Sequence, residues 1–261
     1  MIQLLVMAKA PVPGRVKTRL CPPCTPAEAA AIAEASLADT LAIADQVPVV
    51  RRVAVLEGNY PAPAAWRRVA QRGEGLGERL AYAFADTALP GVPALLIGMD
   101  TPQITPALLA RAAEALSRSG SVLGPAIDGG WWALGLRNPD DAQMLPHVPM
   151  STPDTGALTL AALHARGVDP LLLPTLRDVD TAADAVAVAS ACPTTARFPS
   201  AVRRFLTAPA PATDGGASSG APVTGGGDGV RALVADGGVG VEVPVVGGRI
   251  DAGVSGAGRL G

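Results

Sequence analysis

The sequence is poor in the residues that build several common kinds of site. Only 3% of its residues are aromatic, it has two histidines, and its three cysteines are Cys21, Cys24 and Cys192. Three cysteines cannot form a disulfide framework, and Cys21-Pro22-Pro23-Cys24 has neither a second cysteine pair nor a nearby histidine to complete a zinc site. A thioredoxin-like motif opens a helix directly after a strand, whereas this one follows a loop, so a redox role is disfavoured.

The sequence also lacks a strong net charge and a long apolar run. It has 21 Lys and Arg against 23 Asp and Glu, a net charge of −2, so it has none of the global basic field that nucleic-acid binders use. The first apolar run, Ile2 to Val6, is too short to span a membrane, and it has no basic residues before it and no small-residue cleavage site after it. We therefore expect a cytoplasmic protein with no membrane span and no nucleic-acid partner.

The composition predicts one folded domain followed by a tail. With 261 residues, of which 49% are hydrophobic, the chain can bury a substantial core. Residues 207–261 are dominated by Gly, Ala and Val and contain no Phe, Trp or Tyr. We predict a domain over residues 1–206 and a disordered low-complexity tail over residues 207–261.

A stiff basic loop directly follows the first apolar run. Four cations lie between residues 9 and 19, and two prolines and a glycine restrict the backbone between them. Arg offers a planar fork that matches phosphate oxygens and Lys a compact charge, so the mixture suits a nucleotide di- or triphosphate. The alternative is a solvated basic turn. The residues predicted to bind the nucleotide here are Lys9, Pro13, Gly14, Arg15, Lys17 and Arg19.

Strand and helix patterns alternate along the domain, which predicts an α/β fold with a mainly parallel, Rossmann-like sheet and helices on both faces. Thr25-Pro26-Ala27-Glu28 is typical of a helix start. Apolar runs predict strands at 2–6, 47–56, 94–98, 122–125 and 171–173, with a further strand ending near 136. Helices are predicted at 26–44, 64–70, after the 71–80 loop to about 88, at 104–118, before 167, after 180 and at 201–206.

Aspartates follow two of the predicted elements. Asp100 lies at the end of the buried run 94–98, on the sheet edge where the basic loop should also lie. A carboxylate that faces bound phosphates normally implies a divalent cation, although an ordinary turn aspartate is the alternative. Asp178 and Asp180 precede a helix. Asp180 is either its N-cap, or the two carboxylates complete a metal site with Asp100. We predict Asp100 and Asp180 as ligands of Mg²⁺ or Mn²⁺.

Two glycine-containing segments complete the predicted site. Asp128 is the candidate catalytic residue, able to orient or deprotonate an acceptor hydroxyl, and Gly129, Gly130, Trp131 and Trp132 are predicted to form an acceptor pocket. One tryptophan of an alternating strand must nevertheless point into the core.

The second segment runs from Gln71 to Leu80. Its glycines either allow close approach to a ligand or cap helices, two alternatives that the sequence leaves equal. Gly77 and Arg79 are predicted to bind the nucleotide.

Taken together, five motifs resemble the bacterial domain of unknown function 2064 family, glycosyltransferase-A-like proteins within the nucleotide-diphospho-sugar transferase superfamily. They span residues 1–206 in the family's order. The motifs are the loop from Lys9 to Leu20, Gly75-Leu76-Gly77-Glu78-Arg79-Leu80, Gly98-x-Asp100-x-Pro102, Asp128-Gly129-Gly130-Trp131-Trp132 and Asp178-Val179-Asp180-Thr181-x-x-Asp184. The family is also similar to phospholactate guanylyltransferases, and some members are labelled as arsenosugar-pathway glycosyltransferases.

The resemblance implies a glycosyltransferase-A-like sheet, a nucleotide held by the first loop and a divalent ion at Asp100. The chain departs from the usual glycosyltransferase pattern, since Gly98-Met99-Asp100 supplies one carboxylate where Asp-x-Asp supplies two. Val16 before Lys17-Thr18 also disfavours a Walker-type phosphate loop, which needs glycine there.

These features favour a metal-dependent transferase that takes a nucleotide sugar and a small-molecule acceptor. Two alternatives stay open: a nucleotidyltransferase, similar to a guanylyltransferase, that acts on a small phosphorylated acceptor, and a non-catalytic nucleotide-binding protein. The sequence does not define the oligomeric state.

Overall fold

The computed structural model describes residues 1–207, which contain seven strands, six α-helices and two 3₁₀ segments. The strands are β1 (Gln3–Lys9), β2 (Arg51–Glu57), β3 (Arg67–Ala70), β4 (Ala94–Gly98), β5 (Ser121–Pro125), β6 (Trp131–Leu136) and β7 (Leu171–Leu172). The α-helices are α1 (Pro26–Asp45), α2 (Leu76–Thr87), α3 (Pro106–Ser119), α4 (Thr155–Ala165), α5 (Ala182–Ala191) and α6 (Arg197–Val202). The 3₁₀ segments are Thr18–Leu20 and Pro139–His147, and a π-helical turn covers Arg203–Thr207. The predicted tail, residues 207–261, lies outside the described residues except for Thr207.

All seven strands form one sheet in the order β3-β2-β1-β4-β6-β5-β7. Every neighbouring pair is parallel except the two that involve β6, which runs antiparallel to β4 and β5. The predicted α/β class with a mainly parallel sheet is therefore confirmed. As a result, β1, β2, β4 and β5 end at the same edge of the sheet, and β6 begins there.

The core lies on both faces of the sheet because β1 alternates its buried side chains between them. Leu4 and Val6 pack in a cluster with residues of α1 and α3, whereas Leu5 and Met7 pack in a second cluster with residues of α2 and α4. A strand buried on both faces is typical of a parallel sheet covered by helices. In the part of the chain that the structure describes, no helix combines the length and the apolarity needed to cross a membrane.

Side-chain caps fix two helix starts next to the site. Thr25 forms a capping box with Glu28 at the start of α1, as the sequence predicts. The N-cap of α5 is Thr181, which forms a capping box with Asp184. Asp180 does not serve as the N-cap, so its carboxylate is free to pair with Lys17 and Arg19 of the basic loop.

Three elements differ from the sequence-based expectation. The segment predicted as a helix at 64–70 contains β3, because Arg67–Ala70 pairs with Val53–Leu56 of β2 and completes the edge of the sheet. The last α-helix is α6 at Arg197–Val202, earlier than the predicted 201–206. Pro139–His147, expected as a loop, is a 3₁₀ segment.

Gly77, on the first turn of α2, packs directly against this 3₁₀ segment. A Cβ atom at residue 77 would overlap the backbone oxygen of Leu145 and lie 3.0 Å from its carbonyl carbon and 3.1 Å from Cα of Pro146. Neither contact can be relieved by a side-chain rotation, since both belong to backbone. The close approach that requires glycine here is therefore made by the chain itself.

We predict that Gly77→Ala lowers the free energy of unfolding by about 1–3 kcal/mol, because the added methyl group forces α2 away from Leu145. Gly75→Ala is the matched control: residue 75 has φ −111°, and a Cβ atom there has open space around it. Urea unfolding of both variants measures the difference. Equal midpoints for the two variants would contradict the packing role.

Candidate functional site

A cleft of about 760 Å³ opens at the edge of the sheet where β1, β2 and β4 end and β6 begins. Ligands of open α/β sheets bind outside the carboxyl ends of the strands, so this is the expected place for a site. The start of α2 and the segment before α4 form its side walls. Its charged lining residues are Lys9, Arg19, Glu57, Glu74, Arg79, Asp100, Asp128, Asp178 and Asp180.

The basic loop after β1 forms a second pocket, of about 270 Å³, next to the cleft. The four cations predicted to hold phosphate all line it, namely Lys9, Arg15, Lys17 and Arg19. Pro13 and Gly14 are exposed residues of the turn and are not part of this lining. The structure therefore gathers the predicted cations around one space.

Lys17 connects this loop to two acidic segments. Its Nζ lies 2.8 Å from Oδ1 of Asp100 and 3.8 Å from Oδ1 of Asp180, and it donates a hydrogen bond to the carbonyl oxygen of Val179. Only 9% of the Lys17 side chain is exposed. The backbone adds a further link, because the amide of Val179 donates to the carbonyl of Asp100 at 2.9 Å. Lys17, which is predicted to bind phosphate, therefore contacts both of the predicted metal ligands, Asp100 and Asp180.

Asp178 lies beside the same cluster and carries its most perturbed carboxyl group. Burial, followed by the negative charges of Asp100 and Asp128, raises the pKa of Asp178 to about 7, and the nearby Lys17 acts in the opposite direction. Its Oδ1 atom is buried and accepts no hydrogen bond in the described structure. A buried carboxylate without a partner is costly, which indicates a site that a cation or a donor completes.

Glu57, at the end of β2, pairs with two of the predicted nucleotide-binding cations. Its carboxylate lies 3.3 Å from Nζ of Lys9 and forms a second ion pair with Arg79. Burial alone would raise the pKa of Glu57, but the hydrogen bonds and charges of Lys9 and Arg79 outweigh it and hold the pKa below its usual value. Lys9 and Arg79 therefore line the cleft with part of their positive charge already neutralised by Glu57.

Asp128 and Gly130 line the cleft, whereas Gly129 packs against the chain. Oδ1 of Asp128 accepts a hydrogen bond of 2.9 Å from the amide of Gly130. Gly129 has φ +89°, and a Cβ atom there would overlap the carbonyl oxygen of Pro153. The Gly129 carbonyl also accepts a 2.7 Å bond from the amide of Gly156. The backbone approach that needs glycine at 129 is an internal contact rather than the ligand contact that the sequence suggested.

The two adjacent tryptophans have different environments. Trp132 is 2% exposed, donates its indole N–H to the carbonyl of Pro174 at 3.0 Å and covers Gly124, so most of its side chain belongs to the core. Trp131 is half-buried, and its indole N–H donates to Oγ1 of Thr159 at 3.2 Å. Trp131 is thus the aromatic wall of the cleft, and the alternation of β6 explains the difference.

The chemistry of the acidic cluster fits a divalent cation. Three carboxylates, from Asp100, Asp178 and Asp180, are hard oxygen ligands of the kind that Mg²⁺ and Mn²⁺ prefer. The buried, unpartnered Oδ1 of Asp178 supports the same assignment. Within residues 1–207, however, no three metal-binding side chains converge closely enough to hold an ion as they stand. The cluster has suitable donors in an arrangement that is centred on Lys17.

The sheet and its helices have the fold of glycosyltransferase-A and nucleotidyltransferase proteins. A crystal structure from Desulfovibrio desulfuricans G20, described as a candidate nucleotide-diphospho-sugar transferase, superposes with a TM-score of 0.69. It is 24% identical, and the match covers 78% of this chain and 95% of that one. At this identity the likeness establishes the fold.

Residues 29–152, a little under half of the chain, match the family model described as "Uncharacterized protein conserved in bacteria (DUF2064)", the family that the motifs resemble. Rv0371C from Mycobacterium tuberculosis H37Rv, solved in complex with manganese, is 20% identical, with coverage of 72% of this chain and 98% of that one and a TM-score of 0.46. A cytidylyltransferase for 2-C-methyl-D-erythritol 4-phosphate from Thermus thermophilus is 18% identical, with coverage of 66% and 88% and a TM-score of 0.41. No curated protein matches the sequence.

Sequence reasoning did not select two residues that the structure places in the cleft. The sequence indicates that Asp178 and Asp180 together can complete a metal site with Asp100, but only Asp180 is predicted as a ligand, although Asp178 supplies the buried carboxylate. Glu57 was not recognised at all. Its position at the end of the second strand was a usable signal, since the same rule that located Asp100 also applies to β2.

We predict that Asp178→Asn stabilises the protein at pH 8 in a metal-free buffer. Because the folded-state pKa is raised to about 7, the folded protein holds a proton between roughly pH 4 and 7 that the unfolded chain has released, so stability falls as the pH rises through this window. The variant should gain roughly 1–3 kcal/mol at pH 8 and nothing near pH 4. Urea unfolding at both pH values measures this.

Glu34→Gln is the control, because Glu34 is an exposed carboxylate on α1 that forms no ion pair or side-chain hydrogen bond within the described residues. It should shift neither end of the pH profile. A wild-type and Asp178→Asn difference that does not change with pH would show that the carboxyl group titrates normally.

Proposed function

We propose that this protein is an enzyme, a metal-dependent transferase that uses a nucleotide sugar as its donor. The observation that carries the proposal is the meeting of four loop cations with Asp100, Asp178 and Asp180 at the carboxyl edge of one sheet, beside a cleft of about 760 Å³. Cations that hold a diphosphate and carboxylates that hold a divalent ion are the parts that such a transfer requires.

On this proposal the loop binds the diphosphate of the donor. Arg15 is the most available cation, because it is exposed and has no ion pair within the described residues. Arg19 is 74% exposed and lies 3.6 Å from Asp180, so it can turn toward a ligand. Lys9 and Arg79 contribute from the side of β2. Asp100 and Asp180, with Asp178, would hold Mg²⁺ or Mn²⁺, which stabilises the charge on the leaving nucleoside diphosphate.

The opposite half of the cleft would hold the acceptor. It is formed by Asp128, Gly130, Trp131 and the segment from Met150 to Thr155. Asp128 is positioned to accept the proton of an acceptor hydroxyl, and Trp131 offers an aromatic face of the kind that packs on sugar rings. Among the described residues that line this half, none is Lys, Arg or His, so it suits an uncharged acceptor.

Nucleotidyl transfer is the second candidate. The four cations around the smaller pocket favour it, because a triphosphate carries more charge than the diphosphate of a sugar donor. A phosphorylated acceptor would need cations in the acceptor half as well, and that half is acidic. The charge distribution therefore favours glycosyl transfer.

One assay panel separates the candidates. The protein is incubated with each nucleoside triphosphate and with nucleotide sugars, in Mg²⁺ and in Mn²⁺, and the release of pyrophosphate or of nucleoside diphosphate is followed. Diphosphate from a sugar donor supports the proposal. Pyrophosphate from a triphosphate would reject it in favour of nucleotidyl transfer, and binding without either product would indicate a non-catalytic nucleotide-binding protein.

We predict that Asp100→Asn lowers metal-dependent turnover at least about 100-fold, because it removes a charged ligand from the ion that stabilises the leaving group. Asp169→Asn, at a 94% exposed side chain between α4 and β7, should retain wild-type turnover. Steady-state rates at saturating Mg²⁺ measure both. Full activity in Asp100→Asn would remove this carboxylate from the site.

A further inference from the structure

We propose that the ammonium group of Lys17 takes the place of the divalent ion in the free protein, so that Lys17 and the ion exclude each other. The ion then enters the carboxylate cluster together with the phosphates that draw Lys17 away. This inference rests on the proposed function, since it concerns the same carboxylates. It makes Lys17 a positioning residue that controls the order of binding.

The contacts of Lys17 are those of a bound cation. Three oxygen atoms surround Nζ: Oδ1 of Asp100 at 2.8 Å, Oδ1 of Asp180 at 3.8 Å and the carbonyl oxygen of Val179. They come from two segments far apart in the chain. The side chain is 9% exposed, although lysine side chains are usually the most exposed of all. A lysine that served only to meet phosphate from solvent would not need this enclosure.

The backbone holds Lys17 in place while the side chain keeps its freedom. Lys17 has φ 47° and ψ 39°, a left-handed conformation that is uncommon for residues other than glycine. The neighbours Val16 and Leu20 are 7% and 0% exposed, and the amide of Leu20 bonds to the Lys17 carbonyl at 2.9 Å. The peptide is therefore anchored, and the flexible four-carbon stem is the part that can move.

The ammonium and a divalent ion cannot share these oxygens. Mg²⁺ requires ligand oxygens at about 2.0–2.1 Å in near-octahedral geometry, whereas Asp100 and Asp180 are spread around an ammonium at longer distances. Within residues 1–207, no three metal-binding side chains converge on one point while Lys17 holds this position. Departure of Lys17 would leave Asp100 without its ion-pair partner and Asp180 with Arg19 alone, and a divalent ion can neutralise the negative charge that is then exposed.

The phosphate pocket supplies the alternative partner for Lys17. Lys17 contacts the carboxylate cluster and also lines the pocket of about 270 Å³, together with Arg15 and Arg19. A diphosphate in that pocket lies within reach of the same ammonium group. Because binding couplings are reciprocal, phosphate that draws Lys17 away strengthens ion binding, and the ion strengthens phosphate binding by the same factor.

The test measures Mn²⁺ binding without nucleotide, by the electron paramagnetic resonance signal of free Mn²⁺. We expect Lys17→Met to bind Mn²⁺ at least tenfold more tightly than the wild type, because the competing cation is gone. Lys9→Met is the matched control: it removes the same charge from the same loop, but Lys9 pairs with Glu57 and is 44% exposed. It should change the affinity less than threefold.

A second neutral variant guards against misfolding. Lys17→Gln keeps a donor for the carbonyl of Val179 and should also bind Mn²⁺ more tightly than Lys9→Met. If neither neutral variant exceeds the control while both retain wild-type circular dichroism, the exclusion does not occur. Turnover of the wild type is scored separately: tighter Mn²⁺ binding without any transferase activity would support the inference and reject the proposed function.

The converse measurement uses inorganic pyrophosphate in buffer with EDTA, by calorimetry. Asp100→Asn weakens the hold on Lys17 and should bind pyrophosphate several-fold more tightly than the wild type, whereas Lys17→Met should bind it more weakly. Weaker pyrophosphate binding by Asp100→Asn would overturn the proposal, because it would show that Asp100 does not compete with phosphate for the ammonium group of Lys17.

Discussion

The pairing of Lys17 with Asp100 and Asp180 is the interaction on which the site depends. It joins the loop after β1, the end of β4 and the segment before α5, three parts of the chain that the sheet brings to one edge. The amide of Val179, which bonds to the carbonyl of Asp100, fixes the acidic segment at this edge. These ion pairs and this hydrogen bond therefore hold the three segments together at the edge of the sheet, beyond the apolar core.

Most of the fold could be predicted from the sequence because its strands are buried on both faces. Continuous apolar runs such as Ala94–Gly98 identify such strands without any knowledge of their neighbours. The segment at 64–70 shows the limit of local reasoning. Its alanines and arginines favour a helix, yet Arg67–Ala70 is a strand because the edge of β2 offers hydrogen-bond partners that no local pattern reveals.

The position of the candidate site could be predicted from the sequence, but the ion pairs within it could not. The strand-end rule places Lys9, Asp100 and the basic loop at one edge. It does not show that Lys9 shares Glu57 with Arg79, or that Lys17 faces carboxylates. The same limit applies to two glycines that were predicted to approach a ligand. Gly77 and Gly129 do lie at close backbone approaches. The groups that approach them, however, are the backbones of Leu145 and Pro153, which are distant in sequence.

These pairings change the meaning of the cations in the cleft. A loop with four cations suggests a strongly positive site, but Lys9, Lys17 and Arg19 each lie within ion-pair distance of a carboxylate. A phosphate ligand that bound alone would take these cations from their partners and leave Asp100 and Asp180 uncompensated. A divalent ion that arrives with the phosphates restores the charge balance. For the transferase proposed above, the ion pairs of the free protein therefore favour the joint binding of nucleotide and metal over the binding of either one alone.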